Sequence, residues 1–369
     1  MEVLFENFSD ITWQQVVMWL IGGLLIYLAI AKDMEPTLLL PMGFGAILVN
    51  LPNSAAITEH GAIKLLFDFG IENGELFPLL LFIGIGAMID FEPLLGNPKL
   101  MLFGAAAQFG IFLTLGVAAL CGFDLKDAAS IGIIGAADGP TAIFVSQMLD
   151  SNYVAAIMVA AYSYMALVPV IQPPIIKLIT TKKERQIRMD YSSVRVSKLT
   201  KILFPIIVTV LTGLIAPDSA ILIGFLMFGN LIRECGVLNS LSETAQKVLA
   251  NLITLLLGIS ISFQMTADKF VQLDTLLIIA LGLVAFIFDT VGGVMFAKLI
   301  NLFSKKKINP MIGAAGISAF PMSSRVVHKL GLEEDPQNFL LMHAAGANVS
   351  GQIASVVAGG LLLALVQRG

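Results

Sequence analysis

Apolar stretches of membrane-crossing length follow one another along nearly the whole chain. Of its 369 residues, 57% are hydrophobic and 13% are charged, whereas a soluble domain carries about 25% charged residues. The stretches fall at about 13–31, 38–52, 76–90, 99–122, 127–149, 153–180, 202–216, 219–232, 245–266, 272–301, 308–327 and 338–366. Because a helix needs about 20 apolar residues to cross a bilayer, the sequence predicts an all-α polytopic protein embedded in the lipid bilayer. The chain has no long basic stripe, and its net charge of −4 gives no support for nucleic-acid binding.

The charged segment 182–201 separates two halves and contains the richest cluster of Lys and Arg residues. Basic loops stay on the cytoplasmic side of a membrane, so we expect this segment to be cytoplasmic. If the N-terminus lies outside, the number of preceding spans puts this segment on the cytoplasmic side only when one stretch of the first half does not cross the membrane. The stretch 127–149 contains a Gly-Pro break, and we expect it to form a re-entrant hairpin. The predicted organisation is a transmembrane half 1–181, a basic linker 182–201 and a second transmembrane half 202–369.

Short glycine-containing motifs recur in the same order in both halves, at offsets of about 174 to 181 positions. The matched pairs are Gly84-Ile-Gly-Ala-Met-Ile-Asp-Phe91 with Gly258-Ile-Ser-Ile-Ser-Phe263, Gly135-Ala-Ala-Asp138 with Gly313-Ala-Ala-Gly316, and Gly43-Phe-Gly45 with Gly224-Phe-Leu-Met-Phe-Gly229. In the expected topology the matching segments run in opposite directions, so a second re-entrant hairpin, 308–327, enters from the opposite side. Inverted repeats with two interrupted segments are typical of secondary transporters, whose ion sites lie near the midplane.

A single carboxylate, Asp138, lies in the first predicted hairpin among apolar neighbours. A charge at membrane depth costs at least about 2.5–3.5 kcal/mol. Gly139 and Pro140 interrupt the helix and free backbone carbonyls, and Thr141 adds a hydroxyl one turn later. Hard cations prefer such oxygen ligands. Asp138 is therefore either a cation ligand or proton carrier, or a structural acid that caps a half-helix.

The second predicted hairpin contains an amide, a hydroxyl and a guanidinium, in Asn309, Ser318 and Arg325. Its glycines, Gly313 among them, are also of the kind that serves close helix packing in membranes. Arginine binds carboxylates in a bidentate manner, so Arg325 has two candidate partners. One is an anionic substrate, and the other is Asp138 itself.

Three further features leave alternatives open. Asn348, Gln352 and Ser355 are spaced by four and three residues, so a helix would present them on one face, where they either line a site or make interhelical hydrogen bonds. Tyr164 either donates a proton or satisfies its hydroxyl locally. Asp289 is a second acid within an apolar stretch, and we expect its helix to continue at least to Gly292-Gly293.

The segments Gly135–Thr141 and Asn309–Arg325 resemble the signature segments of the β subunits of sodium-pumping biotin-dependent decarboxylases. That family includes the oxaloacetate, methylmalonyl-CoA, glutaconyl-CoA and malonate decarboxylases, and the resemblance covers almost the whole chain. It implies a subunit that decarboxylates carboxybiotin, supplied in trans by a biotin carrier protein, and couples CO2 release and proton uptake to Na+ export. It also implies a carboxyltransferase subunit, a small membrane subunit and an oligomeric assembly in the bacterial cytoplasmic (inner) membrane.

Carried over by matching motif, Asp138 is the Na+-linked acid, and Asn348 is a ligand. The other functional positions that the resemblance implies are Tyr164, Asn309, Gly313, Ser318 and Arg325. Taken with the chemistry of the residues, the expected catalytic groups are Asp138, Tyr164 and Arg325, the expected Na+ ligands are Asp138, Thr141, Asn309, Ser318 and Asn348, and the residues that shape the site are Gly139, Pro140 and Gly313. No transition metal is expected.

Two other functions fit the residues alone. Inverted repeats and broken helices are equally typical of a Na+- or H+-coupled carboxylate carrier that performs no chemistry. A purely structural membrane anchor for a soluble enzyme is the third possibility, and it leaves Asp138 and Arg325 unexplained.

Overall fold

The computed structural model describes residues 10–33, 36–73, 75–189, 196–215 and 217–368. All regular structure within these ranges is helical, which confirms the predicted all-α class. The main helices are α1 (Trp13–Lys32), α2 (Pro36–Val49), α3 (Leu76–Met88), α4 (Met101–Ala106), α5 (Phe109–Leu120), α6 (Leu125–Gly132), α7 (Gly139–Met148), α8 (Val154–Ile179), α9 (Lys198–Ile215), α10 (Ala220–Glu234), α11 (Ala250–Ile261), α12 (Leu273–Phe303), α13 (Met311–Ala314), α14 (Met322–Glu334) and α15 (Leu341–Arg368). The N-terminal residues 1–9 and part of the predicted linker, 190–195, lie outside the described residues.

Short helical segments connect these elements. They are Ala55–Ile57, Ala62–Phe67, Asp68–Glu72, Glu92–Gly96, Pro98–Leu100, Ile133–Ala136, Lys182–Arg185, Pro217–Ser219, Asn239–Glu243, Thr244–Leu249, Ser262–Gln264 and Ala267–Phe270.

Six helical segments of the described chain are long and apolar enough to cross a membrane. They are Trp13–Lys32, Pro98–Leu120, Ala156–Ile179, Asn239–Gln264, Leu273–Phe303 and Leu341–Val366. The helix pair Ala55–Glu72 and Leu76–Met88, bent by 65°, is a further candidate. The protein is therefore a multi-pass membrane protein.

The first predicted hairpin has two helical arms, α6 with the short helical segment Ile133–Ala136 that continues it, and α7. Ala137 and Asp138 form a non-helical tip between them. Ala137 has a left-handed backbone with φ 51, and Asp138 is extended with φ −127 and ψ 94. The outer ends of the arms lie together, because the Asp127 carboxylate accepts hydrogen bonds from the Ser151 hydroxyl at 2.7 Å and the Asn152 amide at 2.9 Å. We call this side of the bundle the far end.

The second hairpin consists of α13 and α14, and its outer ends meet on the linker. The Arg185 carbonyl accepts hydrogen bonds from Asn309 Nδ2 at 2.8 Å and from Asn338 Nδ2 at 2.9 Å. We call this side of the bundle the linker end. The second arm continues beyond the predicted limit of 327 to Glu334, because its polar last turns lie at the linker end, where Glu334 pairs with Arg185 at 2.6 Å.

Two of the long apolar stretches differ in the continuity of their helices. The apolar stretch 99–122 is not one continuous helix, because α4 and α5 are interrupted at Ala107 and Gln108. Helix α12, in contrast, runs unbroken through Gly292 and Gly293. A Cβ at position 293 would lie 2.0 Å from the Gly313 carbonyl oxygen, so this glycine allows α12 and α13 to pack closely.

Several packings between helices occur twice, once with each half of the chain in the same role. Helix α3 packs against α10 as α11 packs against α2, and α5 packs against α6 as α12 packs against α13. The hairpin arms α7 and α14 contact α8 and α15, and α8 and α15 in turn contact α12 and α4. Both hairpins are consequently enclosed within the bundle, with their tips directed toward each other.

Candidate functional site

The tips of the two hairpins touch near the centre of the bundle. The backbone amide and the hydroxyl of Ser318 both donate hydrogen bonds to the Ala136 carbonyl, at 3.2 Å and 2.7 Å. Ser318 is 1% exposed. These bonds join the tip of the second hairpin to the residue that lies two positions before Asp138.

Asp138 is the acid at this junction, and its side chain is 3% exposed. One carboxylate oxygen, Oδ2, accepts hydrogen bonds from the Thr141 hydroxyl at 2.7 Å and the Ser355 hydroxyl at 3.1 Å. Asp138 also precedes the first residue of α7, where the helix dipole favours negative charge. The carboxylate is therefore stabilised at membrane depth by two hydroxyls and a helix terminus.

One face of α15 contacts both hairpin tips, as the spacing of its polar residues predicts. Asn348 Nδ2 donates to the Ile317 carbonyl at 2.7 Å, the Gln352 side-chain amide donates to the Ser318 carbonyl, and Ser355 reaches Asp138. Asn348 Oδ1 and Gln352 Oε1 are buried and have no hydrogen-bond partner among the described residues. Leaving a buried acceptor unpaired costs about 1–3 kcal/mol, so these two oxygens are available to a bound cation.

A cavity of about 150 Å³ lies beside the junction. Asp138, Tyr162, Ser318 and Gln352 line its inner part, and the exposed Thr37 lies at its linker-end mouth. Pockets that enclose a drug-sized ligand occupy about 300–1,000 Å³. The cavity is therefore of a size for a cation with a few waters, or for one end of a larger substrate, and it is entered from the linker end.

The tyrosine that lies beside Asp138 is Tyr162, which sequence reasoning did not select. Its side chain is fully buried, and its hydroxyl has no hydrogen-bond partner in the described part of the chain. The ring covers Gly139, where an added Cβ would lie 2.3 Å from Cζ of Tyr162. The predicted Tyr164 lies away from the cavity, because its hydroxyl donates to the Ile279 carbonyl at 2.5 Å. The sequence alone does not indicate which of these two tyrosines, two residues apart, faces the cavity.

Asn309 is buried at the linker end, and its side chain binds the linker. Besides the bond to Arg185, Nδ2 donates to the Ile187 carbonyl at 2.9 Å, and Oδ1 accepts from the Met311 amide at 3.1 Å. Within the described ranges, none of these bonds reaches the hairpin tips. The structure thus brings Asp138, Thr141, Ser318 and Asn348 together and places Asn309 apart from them.

The remaining predicted residues have different surroundings. Arg325 is exposed on α14, and within the described residues it forms no ion pair with Asp138 or another acid. Gly313 packs against α12, and Pro140 lies in the first turn of α7 and lines the cavity. Asp289 is buried against the α4–α5 break, where its Oδ1 accepts from the Ile111 amide at 3.2 Å. Asp289 is not among the residues that line the cavity.

Comparison with known proteins identifies the family of the chain. Residues 14–366 match the family described as Na+-transporting oxaloacetate decarboxylase beta subunit. The chain is 49% identical to the glutaconyl-CoA decarboxylase subunit beta of Acidaminococcus fermentans, covering 98% of this chain and 96% of that protein. It is 48% identical to the methylmalonyl-CoA decarboxylase subunit beta of Veillonella parvula (98% and 96% covered) and 47% identical to the oxaloacetate decarboxylase beta chain of Klebsiella pneumoniae (95% of each). The chain therefore belongs to the family of Na+-transporting decarboxylase beta subunits.

Proposed function

We propose that this chain is the membrane subunit of a decarboxylase Na+ pump, which decarboxylates carboxybiotin and couples CO2 release and proton uptake to Na+ export. The observation that carries the proposal is the environment of Asp138. A buried carboxylate, two hydroxyls and two unpaired amide oxygens meet where the hairpin tips touch, beside a cavity entered from the linker end. The relatives that the chain resembles are named as decarboxylase subunits, which favours the pump over a carrier without chemistry.

The sodium ion would be held by oxygen atoms of Asp138, Thr141, Ser318, Asn348 and Gln352. Four of these residues follow from the sequence, and Gln352 joins them because its Oε1 is buried without a partner among the described residues. Asn309 supports a different role, because its side chain is occupied by the linker. It would keep the second hairpin in position.

Carboxybiotin would be delivered by a biotin carrier protein to the linker end, and Arg325, exposed three residues after the cavity-lining Met322, can bind its carboxylate. Carboxylates of this kind lose CO2 more readily when they leave water, as entry into a narrow cavity requires. The C–N bond breaks, its electron pair stays on the biotin nitrogen, and that nitrogen takes up a proton. Tyr162 lines the cavity and has a free hydroxyl within the described chain, so it is the nearest tyrosine for relaying this proton. Asp138 would exchange the proton for Na+.

The basic residues of the linker end support a cytoplasmic location for that end, because basic loops stay on the cytoplasmic side. The N-terminus would then lie outside, and the membrane would be the bacterial inner membrane. The matching helix pairs of the two halves support an inverted repeat with two re-entrant hairpins. Rocking of the halves would then expose Asp138 first to the linker end and later to the far end. A carboxyltransferase subunit, a small membrane subunit and an oligomeric assembly complete the proposed complex.

Asp138→Asn tests the proposal in the complete complex reconstituted in proteoliposomes. This variant keeps the shape of the side chain and the acceptor of both hydroxyls, but removes the charge. We expect both Na+ uptake and CO2 release to be lost, while Asp150→Asn, at an exposed position just after the same hairpin, behaves as wild type. Normal coupled turnover in the Asp138→Asn complex would remove this acid from the mechanism.

A further inference from the structure

Another buried carboxyl group, that of Glu75, has no role in the pump described above. It immediately precedes α3 and is 7% exposed. Its Oε2 is buried and has no hydrogen-bond partner among the described residues. A buried acid without a cation beside it is costly, so its presence here needs a physical reason.

Helix capping does not supply that reason. Glu75 is the residue before the first turn of α3, but its side chain forms no capping hydrogen bond. Its backbone is left-handed, with φ 56, a conformation that glycine adopts freely and that costs other residues about 1–3 kcal/mol. A glutamate at such a position is strained as well as buried. Strain of this kind clusters at functional sites.

The position of Glu75 relative to Asp138 is fixed by α3. Leu81 and Ile85 of this helix line the Asp138 cavity, and Glu75 precedes Leu81 by six residues, or about 9 Å along the helix axis. The other end of α3 leads to Glu92, which pairs with Lys201 of α9 at 2.6 Å. Because that pair lies on the side of the linker, Glu75 lies on the far-end side of the cavity.

Tyr162 is located next to both acids. It packs in one apolar cluster with Phe77 and Leu81 of α3, and its ring covers Gly139 beside Asp138. The buried ring therefore lies beside the Asp138 cavity and packs against α3, the helix that Glu75 precedes.

We infer that Glu75 is the release-side cation site, which receives the sodium ion that leaves Asp138, and that Tyr162 forms the barrier between them. This inference rests on the proposed function. A carboxylate on the release side gives the ion a binding step before it enters water. It also gives sodium on that side a place from which to return and inhibit the pump.

Glu75→Gln in the complete reconstituted complex tests the inference, with Glu72→Gln as the matched control at an exposed position three residues earlier. The assay measures Na+ uptake driven by decarboxylation at increasing concentrations of Na+ inside the vesicles, which face the far end. We expect Glu75→Gln to raise the internal Na+ concentration for half-inhibition by about tenfold or more, as the loss of a close carboxylate predicts. The external Na+ concentration for half-activation stays as in wild type, and Glu72→Gln changes neither value.

Glu75→Asp separates an ion site from a structural acid, because it retains the charge on a shorter side chain. We expect it to keep inhibition by internal Na+ within about threefold of wild type. Inhibition of Glu75→Gln equal to that of wild type would overturn the inference. Loss of assembly in both Glu75 variants would make the residue structural and would also overturn it. A wild-type complex that takes up no Na+ would instead refute the pump itself.

Discussion

Asn309 provides a sharp test, because its motif predicts a sodium ligand whereas its contacts indicate a positioning role. Asn309→Ala removes three hydrogen bonds, two donated to the carbonyls of Arg185 and Ile187 and one accepted from Met311. At about 1 kcal/mol for each bond, the free energy of unfolding falls by about 3 kcal/mol. Asn338→Ala is the matched control, since it removes a single bond to the same Arg185 carbonyl. Its loss is about 1 kcal/mol.

The assay is thermal unfolding of the purified protein in detergent over a series of Na+ concentrations. Bound Na+ stabilises the folded state in proportion to RT ln(1 + [Na+]/Kd), so the series yields the affinity together with the stability. Because the Asn309 bonds lie at the linker end, we expect both variants to bind Na+ within about threefold of wild type. A tenfold or greater loss of affinity in Asn309→Ala, with Asn338→Ala unaffected, would refute the positioning role and make Asn309 a ligand.

Two further predictions concern packing and pH. Gly139→Ala places a Cβ 2.3 Å from Tyr162 Cζ, and we expect it to destabilise the protein by about 1–3 kcal/mol and to slow Na+-dependent turnover. Gly116→Ala, in a helix with open space around it, is expected to be neutral or stabilising in the same unfolding assay. The hydrogen bond from Arg188 lowers the pKa of Asp335, so the pair stabilises the protein at neutral pH, and this contribution is lost as the pH falls through the lowered pKa. Arg188→Gln should therefore be less stable than wild type at pH 7, and the difference should shrink as the pH falls through that pKa to what the bond from Arg188 to Gln337 Oε1 at 2.7 Å contributes. A difference that does not change with pH would contradict the assignment.

The parts of the site that depend on local sequence are predictable. The Gly139-Pro140 pair interrupts a helix wherever it occurs in a sequence. A buried acid next to such an interruption, as Asp138 is, either binds an ion or caps a helix. The polar face of α15 follows from helical spacing alone, and all three of its residues, Asn348, Gln352 and Ser355, contact the hairpin tips or Asp138.

The remaining features depend on contacts between distant parts of the chain. Residues 162 and 164 are two apart on one helix and point in different directions, and only the packing of α8 decides which tyrosine faces the cavity. Asn309 meets linker residues more than 120 positions earlier in the chain, and no local pattern records that contact. Glu75 is preceded by polar residues and glycine, so its local sequence does not mark it as buried. Its burial becomes visible only in the folded chain.

The most direct test of the central claim is Na+ uptake into proteoliposomes that contain the complete complex, driven by a carrier protein loaded with carboxybiotin. Avidin, which sequesters biotin, is added in a parallel reaction. A decarboxylase pump with its site at Asp138 predicts that avidin stops Na+ uptake and CO2 release together. Na+ uptake that continues in avidin, driven by a gradient of a carboxylate solute, would contradict the account and identify a carrier without chemistry.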